Sequence, residues 1–155
     1  MTYAKDTDIS SEKSEGDIRR IVIRAGATAF MSGQTGTDAM IAFELRSRRI
    51  TFRMPLPNRQ AKEFTETPSR KWARSPAEAD KAWEQACRSR WRALHLCIKA
   101  KLESVESGIE TFEDAFLAHI QMPDGQTVGE HVRPRIAAVY ESGTMQPLLP
   151  APGRN

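Results

Sequence analysis

The stretch that decides the fold is SPAEADKAWEQACRSRWRALHLCIKAKLESVESG, residues 75 to 108. Ser75 followed by Glu78 is a capping-box pattern, Pro76 suits the first helical position, and Gly108 suits a left-handed C-terminal cap. We therefore predict one helix of about 32 residues, about 48 Å long at 1.5 Å per residue.

One side of this helix is bulky and apolar. Its residues repeat at spacings of three and four, which keeps them on one stripe, and we predict that the stripe faces the core. The stripe consists of Trp83, Cys87, Trp91, Leu94, Ile98, Leu102 and Val105. Beside it runs a band of small residues, where a second element can approach the backbone closely. The band consists of Ala79, Ala82, Ala86, Ala93, Cys97, Ala100 and Ser104.

The edge of the helix far from the bulky stripe is charged. It carries Lys81, Arg88, Arg92, His95 and Lys99, with Glu84 and Glu103 four residues from Arg88 and Lys99. That spacing is typical of helix ion pairs, so we interpret this edge as a solvated face.

Length and composition are those of one globular domain. The chain has 155 residues, 28% of them charged, and no apolar run of membrane-spanning length. Neither such a run nor an apolar signal sequence is found, so we expect a cytoplasmic protein that does not enter membranes. Cys87 and Cys97 lie ten residues apart on one helix, about 15 Å along its axis, too far for a disulfide, so we expect reduced thiols.

Charge is distributed unevenly along the chain. Residues 46 to 101 carry fifteen basic and five acidic side chains, whereas residues 1 to 45 and 102 to 155 are net acidic. A basic middle between acidic ends is consistent with a polyanion site, with self-association, or with charge pairing inside the molecule. A homo-oligomer is one expectation from this pattern.

The N-terminal third predicts a tail, a helix and a sheet. Residues 1 to 13 form a polar, flexible tail, and the domain runs from residue 14 to residue 143. Helical spacing of Ile18, Ile21 and Val22 favours a helix from Ser14 to a cap at Gly26, although three β-branched residues leave a strand at 20 to 24 as the alternative. Residues 27 to 56 then predict a three-stranded antiparallel sheet.

Alternation of apolar and polar residues defines the apolar side of this sheet. The inward residues are Ile41, Phe43, Leu45, Ile50, Phe52 and Met54, with a turn at 46 to 49 between the last two strands. Pro55 and Pro57 end the last strand or confine it to an edge, because proline cannot donate to the ladder.

The connection from residue 58 to residue 74 is longer, more basic and more aromatic than a simple link requires. Phe64 and Trp72 are interleaved with five basic residues, a composition that suits single-stranded nucleic acid. The alternative is a structural flap whose aromatic residues enter the core while the charges are solvated.

Two shorter helices follow Gly108. Thr111 with Asp114 and Thr127 with Glu130 predict their starts, and Pro134 is expected to kink or split the second. The first should bury Phe112, Ala115, Phe116 and Ile120, and the second carries Val128, Val132, Ile136, Val139 and Tyr140. Residues 144 to 155 predict a proline-rich extended tail that Leu148 and Leu149 could anchor.

No enzymatic constellation is apparent. SGQTGTD at residues 32 to 38 lacks the Lys-Ser/Thr of a phosphate loop and the spacing of a dinucleotide motif, and His95, His119 and His131 have no metal-ligand spacing with the cysteines. We expect no catalytic residues, no cofactor and no metal.

WEQACRSRWRALHLCIKAKLE at residues 83 to 103 and GIETFEDAFLAHI at residues 108 to 120 resemble a family of uncharacterised proteins of about 150 residues encoded by phages and prophages. The likeness extends from IAFE and ITFRMPLP to PDGQTV, over most of the chain. The family has no established activity, so no functional residues can be transferred. The resemblance implies a phage setting in a host cytoplasm, where small proteins often handle nucleic acid or inhibit host defence.

These observations predict an α+β fold, in which a small antiparallel sheet packs against one long amphipathic helix with shorter N- and C-terminal helices. The first functional hypothesis is non-enzymatic binding of single-stranded DNA or RNA. The candidate contacts are Arg46, Arg48, Arg49, Arg59, Arg70, Lys71, Trp72 and Arg74. The alternative is a protein-interaction module that inhibits a host protein through the sheet edge or the small-residue band.

Overall fold

A three-stranded sheet lies against helices in the structure, a computed structural model that describes residues 4 to 153. In chain order the elements are α1 (Ser11–Arg24), β1 (Ala29–Gln34), β2 (Asp38–Leu45), β3 (Arg48–Pro55), α2 (Lys62–Thr65), α3 (Pro76–Glu106), α4 (Phe112–Phe116), a 3-10 turn (Leu117–His119) and α5 (Val128–Ser142). The predicted α+β class is confirmed. Among the described helices, none has both the length and the apolarity needed to cross a bilayer.

Helix α3 is the predicted long helix. The Ser75 hydroxyl accepts from the Glu78 N–H, and the Glu78 carboxylate accepts in return from the Ser75 N–H. Gly108 follows the helix end with φ +77°, a left-handed conformation that glycine adopts at low cost. Trp83, Cys87, Trp91 and Ile98 are buried, and Leu94, Leu102 and Val105 pack against the core, as predicted.

The sheet has the order β1-β2-β3 and is antiparallel throughout. Ile41 pairs with Phe52 and Phe43 with Ile50, so these side chains project from one face toward α3, and all four are buried. The predicted inner face is therefore confirmed. The turn between β2 and β3 is shorter than predicted, because only Arg46 and Ser47 leave the strands, with φ of 50° and 61°.

Helix α1 confirms the helical interpretation of its segment over the alternative strand. It begins at Ser11, three residues earlier than predicted, because the Ser10 hydroxyl accepts from the Lys13 N–H. The preceding residues lie against α3, where the Gln85 side chain donates to the carbonyls of Lys5 and Thr7. Residues 1 to 3 of the predicted flexible tail lie outside the described residues.

The charged edge of α3 is solvated only in part, because Lys81 and Lys99 are exposed but the basic residues of this edge between them are not. Helix α1 runs along it, so His95 is only 5% exposed and Arg92 pairs with Asp17 of α1 at 3.0 Å. Arg88 donates to Gln85 and not to Glu84. Burying the apolar face of α1, with Ile18 and Val22, against α3 outweighs the loss of solvation at these polar groups.

Strand β3 is an edge strand of the sheet, as predicted, and its outer edge is covered in part. Ile120 forms a bridge with Ile50, and the Gln121 N–H donates to the Arg49 carbonyl at 2.8 Å. Phe116 of α4 fills the core edge-to-face against both Phe43 and Phe52. Within residues 4 to 153, no bridge of this kind lies along β1, the opposite edge of the sheet.

Helix α5 begins at the predicted capping box of Thr127 and Glu130 and ends before Gly143 at φ +71°. Pro134 lies inside it and does not split it, so that part of the prediction is wrong. The tail that follows is held by Arg135, whose guanidinium donates to the carbonyls of Pro147 and Leu149. Residues 154 and 155 of this tail lie outside the described residues.

Both cysteines are free, as predicted, with Cys87 buried and Cys97 exposed.

Candidate functional site

The connection between β3 and α3, residues 58 to 74, is folded back on itself and is not the structureless loop that its composition suggested. Helix α2 forms within it and buries Phe64, which shares the surroundings of Ala82 and Ala86 on α3. The small-residue band therefore does receive a closely packed element over its first half. Helix α2 is a single turn, so its apolar residues do not repeat often enough for the helix to be recognised from periodicity.

Residues 65 to 74 form a turn closed by main-chain hydrogen bonds. The Thr67 N–H donates to the Trp72 carbonyl at 2.8 Å, the Arg74 N–H donates to the Thr65 carbonyl at 2.7 Å, and Glu66 bridges Ala73. The Thr67 hydroxyl also accepts from the Trp72 N–H. Lys71 takes φ +53° at the tip of this turn. The backbone beneath Trp72 is thus held at several points.

Trp72 projects from this turn with 62% of its surface exposed. The Arg70 guanidinium lies 5.0 Å from the centre of its ring, within the range of a cation–π contact. Phe64, the other aromatic residue of the segment, is buried. The structural-flap interpretation therefore holds for Phe64 and not for Trp72, which faces solvent. That Trp72 contacts nucleic acid stays a prediction.

Arg70 and Lys71 supply positive charge beside Trp72, and Lys62 adds a third cation from α2 of the same segment. All three are exposed, and none takes part in an ion pair within the described part of the chain. We call Lys62, Arg70, Lys71 and Trp72 the Trp72 cluster. Lys62 belongs to the segment but is not among the predicted contacts; its position two residues before the buried Phe64, on the opposite side of the helix, was the available signal.

Arg59 and Arg74, two further predicted contacts, are engaged in structural interactions. Arg59 pairs with Asp80 at 2.9 Å and lies 3.8 Å from the centre of the Trp83 ring. Arg74 donates to the carbonyls of Glu63 and Phe64, which belong to α2. These two residues hold the segment to α3 and close α2, so their guanidinium groups are already occupied.

Arg46, Arg48 and Arg49 lie at the other end of the sheet. Strand β3 separates them from residue 58, and its eight residues span about 23 Å at 3.3 Å per step. Arg49 is paired with Glu44 at 2.8 Å, and Arg46 lies 5.5 Å from the centre of the Phe112 ring. The structure therefore does not bring the eight predicted residues together as one surface.

A cleft of about 400 Å³ lies beside Arg46, between α1 and the last turns of α3. Arg24 and Lys99 line it together with Arg46, but so do Glu103 and Glu106, which offset the positive charge. No sequence pattern could have assembled this group, because its members come from α1, the β2–β3 turn and α3.

Comparisons of this chain with family models, with curated proteins and with solved structures found no match.

Proposed function

We propose that this protein is a non-enzymatic binding protein, of the phage type that its sequence resembles, and that it binds single-stranded DNA or RNA through the Trp72 cluster. The observation that carries the proposal is an exposed tryptophan on a hydrogen-bonded turn, with Arg70 against its ring. Water-exposed indole leaves a large apolar surface unburied, which stacking against a base would cover.

The geometry favours unpaired bases over duplex. Base stacking on an aromatic side chain requires a base that has left its own stack, and it contributes about 1 to 3 kcal/mol per base. The turn is already ordered by its main-chain hydrogen bonds, which reduces the entropy lost on binding. Arg70 and Lys71 beside Trp72, and Lys62 on α2, would supply the positive charge for the phosphates on either side of the stacked base.

The proposal predicts weak and strongly salt-dependent binding. Three cations correspond to a slope of about −2 in a plot of log association constant against log salt, at about 0.7 per phosphate of a single strand. Fluorescence anisotropy of a labelled oligothymidine of 20 nucleotides, titrated with the protein at two salt concentrations, measures both affinity and slope. Absence of binding at the lower salt concentration would overturn the proposal.

Variants separate stacking from charge. Trp72→Ala should weaken binding by about tenfold or more, whereas Trp72→Phe should retain part of the affinity. Arg70→Ala with Lys71→Asn should reduce the salt slope by about 1.4. Asn is chosen at position 71 because it tolerates the left-handed conformation that Lys71 adopts.

The matched control lies at the opposite end of β3. Arg46→Asn with Arg48→Ala removes the same charge from this end of β3 and should leave binding unchanged. Asn is chosen at position 46 because Arg46, like Lys71, adopts the left-handed conformation. If that variant lost binding while the Trp72 variants retained it, the interface would lie at the β2–β3 turn and the proposal would be wrong. Arg74 is left intact, because removing it also removes two hydrogen bonds to α2.

The second candidate is a module that inhibits a host protein, and the outer edge of β1 favours it. Residues 29 to 34, AFMSGQ, contain no charge and no proline, the usual protections of an edge strand. An extended segment of a partner could add to this edge through main-chain hydrogen bonds. A photo-crosslinking residue at Met31 should then trap one host protein, and the same residue at Met145 should not.

A further inference from the structure

Helix α5 is poorly supported by the rest of the molecule. None of its fifteen residues is buried, whereas a helix of about 12 to 15 residues without packing is marginal in water. Tyr140 is 86% exposed, and Ile136 and Leu117 of the neighbouring 3-10 turn are exposed as well. Several large apolar side chains exposed close together are typical of an interaction surface.

A cleft of about 450 Å³ lies next to these residues, between α4, the 3-10 turn and α5. Ala118, Val128, Val132 and Ile136 make most of its lining apolar, while Asp114 and Arg133 add polar groups. A flat side chain with an apolar body and one polar tip suits such a cleft, and tyrosine has this character.

The exposed face of α5 is self-complementary in charge. Arg133, Ile136, Ala137, Tyr140 and Glu141 are exposed at spacings of three and one, which places them on one side of the helix. A cation stands at one end of this face, an anion at the other, and apolar residues between them. Two copies of such a face, turned antiparallel, bring unlike charges together at both ends.

We propose that α5 pairs antiparallel with α5 of a second copy, about a two-fold axis near Ala137. In this arrangement Arg133 lies opposite Glu141 of the partner subunit, because the two residues are four positions on either side of the axis. Tyr140 lies opposite the helical turn that carries Arg133 and Ile136 and enters the partner's cleft. The phenol hydroxyl then reaches the polar groups of the lining.

The size of the surface limits the strength of the dimer. Helix α5 is about 22 Å long, so the paired helices alone bury less than the roughly 800 Å² per partner of a standard interface. Leu117 and the exposed Met145 beyond the helix end extend the contact. The dimer should therefore form reversibly and depend on protein concentration.

Sedimentation equilibrium of the full chain over a wide concentration range tests the proposal. The native protein should approach twice the monomer mass, and Tyr140→Ser should weaken association by about thirtyfold, the effect of losing an interface hot spot. Ile109→Ser, an exposed apolar residue between α3 and α4, should leave the association constant unchanged. Circular dichroism of each variant checks that α5 is retained.

Charge reversal tests the antiparallel geometry. Arg133→Glu and Glu141→Arg should each weaken association, because each places like charges opposite one another, and the double variant should restore it. A double variant as weak as the single ones would overturn the proposed axis. A native protein that stays monomeric would overturn the dimer itself. A monomer whose cleft binds anilinonaphthalene sulfonate would also overturn it and would indicate a ligand site instead.

Discussion

Arg92 donates a 3.0 Å hydrogen bond to the carboxylate of Asp17 and so joins α3 to α1, with 20% and 13% of the two side chains exposed. Asp17 also accepts from Arg20 at 2.6 Å and lies 3.4 Å from Lys13. Burial by itself raises the pKa of Asp17, but these three cations outweigh it and lower the pKa to about 2. The ionised form is therefore part of the folded state.

Asp17→Asn should lower the free energy of unfolding at pH 7 by about 1 to 2 kcal/mol. The lowered pKa stabilises the fold above the ordinary value of 3.8, and this contribution is lost as pH falls toward 2. Urea denaturation at pH 7 and pH 2.5 should thus show a smaller difference between native and variant at the lower pH. Asp80→Asn, which removes an exposed ion pair with Arg59, is the control and should cost less than about 0.5 kcal/mol. An equal loss for Asp17→Asn at both pH values would contradict the argument.

Two histidines should make the protein less stable in mild acid. Burial and then the charge of Arg92 lower the pKa of His95, with Lys99 and Lys13 acting in the same direction and Asp17 opposing them. Burial and then Lys101 lower the pKa of His119, which stacks on Phe52 at 3.9 Å. The unfolded chain takes up these protons first, so stability is complete above the ordinary pKa of 6.5 and falls as pH decreases below it.

Replacing either histidine should flatten this pH dependence. His95→Leu also removes a buried Nδ1 that has no hydrogen-bond partner among residues 4 to 153. His119→Phe keeps an aromatic ring against Phe52. Thermal melts between pH 7.5 and pH 5.5 measure the effect. A melting temperature whose pH dependence is the same in both variants and the native protein would show that neither histidine is responsible.

Two tryptophans allow a matched test of the core. Trp91 is 1% exposed, and its Nε1 donates to Gln34, so Trp91→Ala should cost about 3 to 5 kcal/mol of unfolding free energy. Trp72→Ala removes the same side chain from a solvated position and should cost less than about 0.5 kcal/mol. Chemical denaturation followed by circular dichroism gives both values. A cost below about 1 kcal/mol at Trp91 would mean that the bulky stripe of α3 is not the core face.

Gly129 marks a close approach between α5 and the 3-10 turn. A Cβ atom there would lie 2.8 Å from the carbonyl oxygen of Ala118, so Gly129→Ala should destabilise the protein by about 1 to 3 kcal/mol. At Gly16 in α1 the corresponding position has no described atom within 4 Å apart from the adjacent residues and the backbone of α1 itself. Gly16→Ala should therefore stabilise by about 0.5 to 1 kcal/mol through helix propensity. Stabilisation by both substitutions, measured in parallel denaturation curves, would show that α5 can shift without cost.

Local patterns were sufficient where neighbouring residues decide the structure. The capping box at Ser75, the glycine at 108 and the apolar spacing between them act within α3 itself, and they correctly predicted its bounds and its buried side. Alternation along β2 and β3 predicted the inner face of the sheet for the same reason, since the side-chain period of a strand is local. The α+β class followed from these elements.

Contacts between distant residues decided the rest. His95 and Arg92 look solvated on the wheel of α3, and only the docking of α1 withdraws them from water. The arginines at 46 to 49 and the Trp72 cluster belong to the same basic part of the sequence, but β3, an extended strand, holds them apart. Arg74 with Phe64 and Lys71 with Trp72 are both basic and aromatic pairs, so the sequence does not distinguish them. In the structure the first pair holds α2 in place against α3, whereas the second faces solvent.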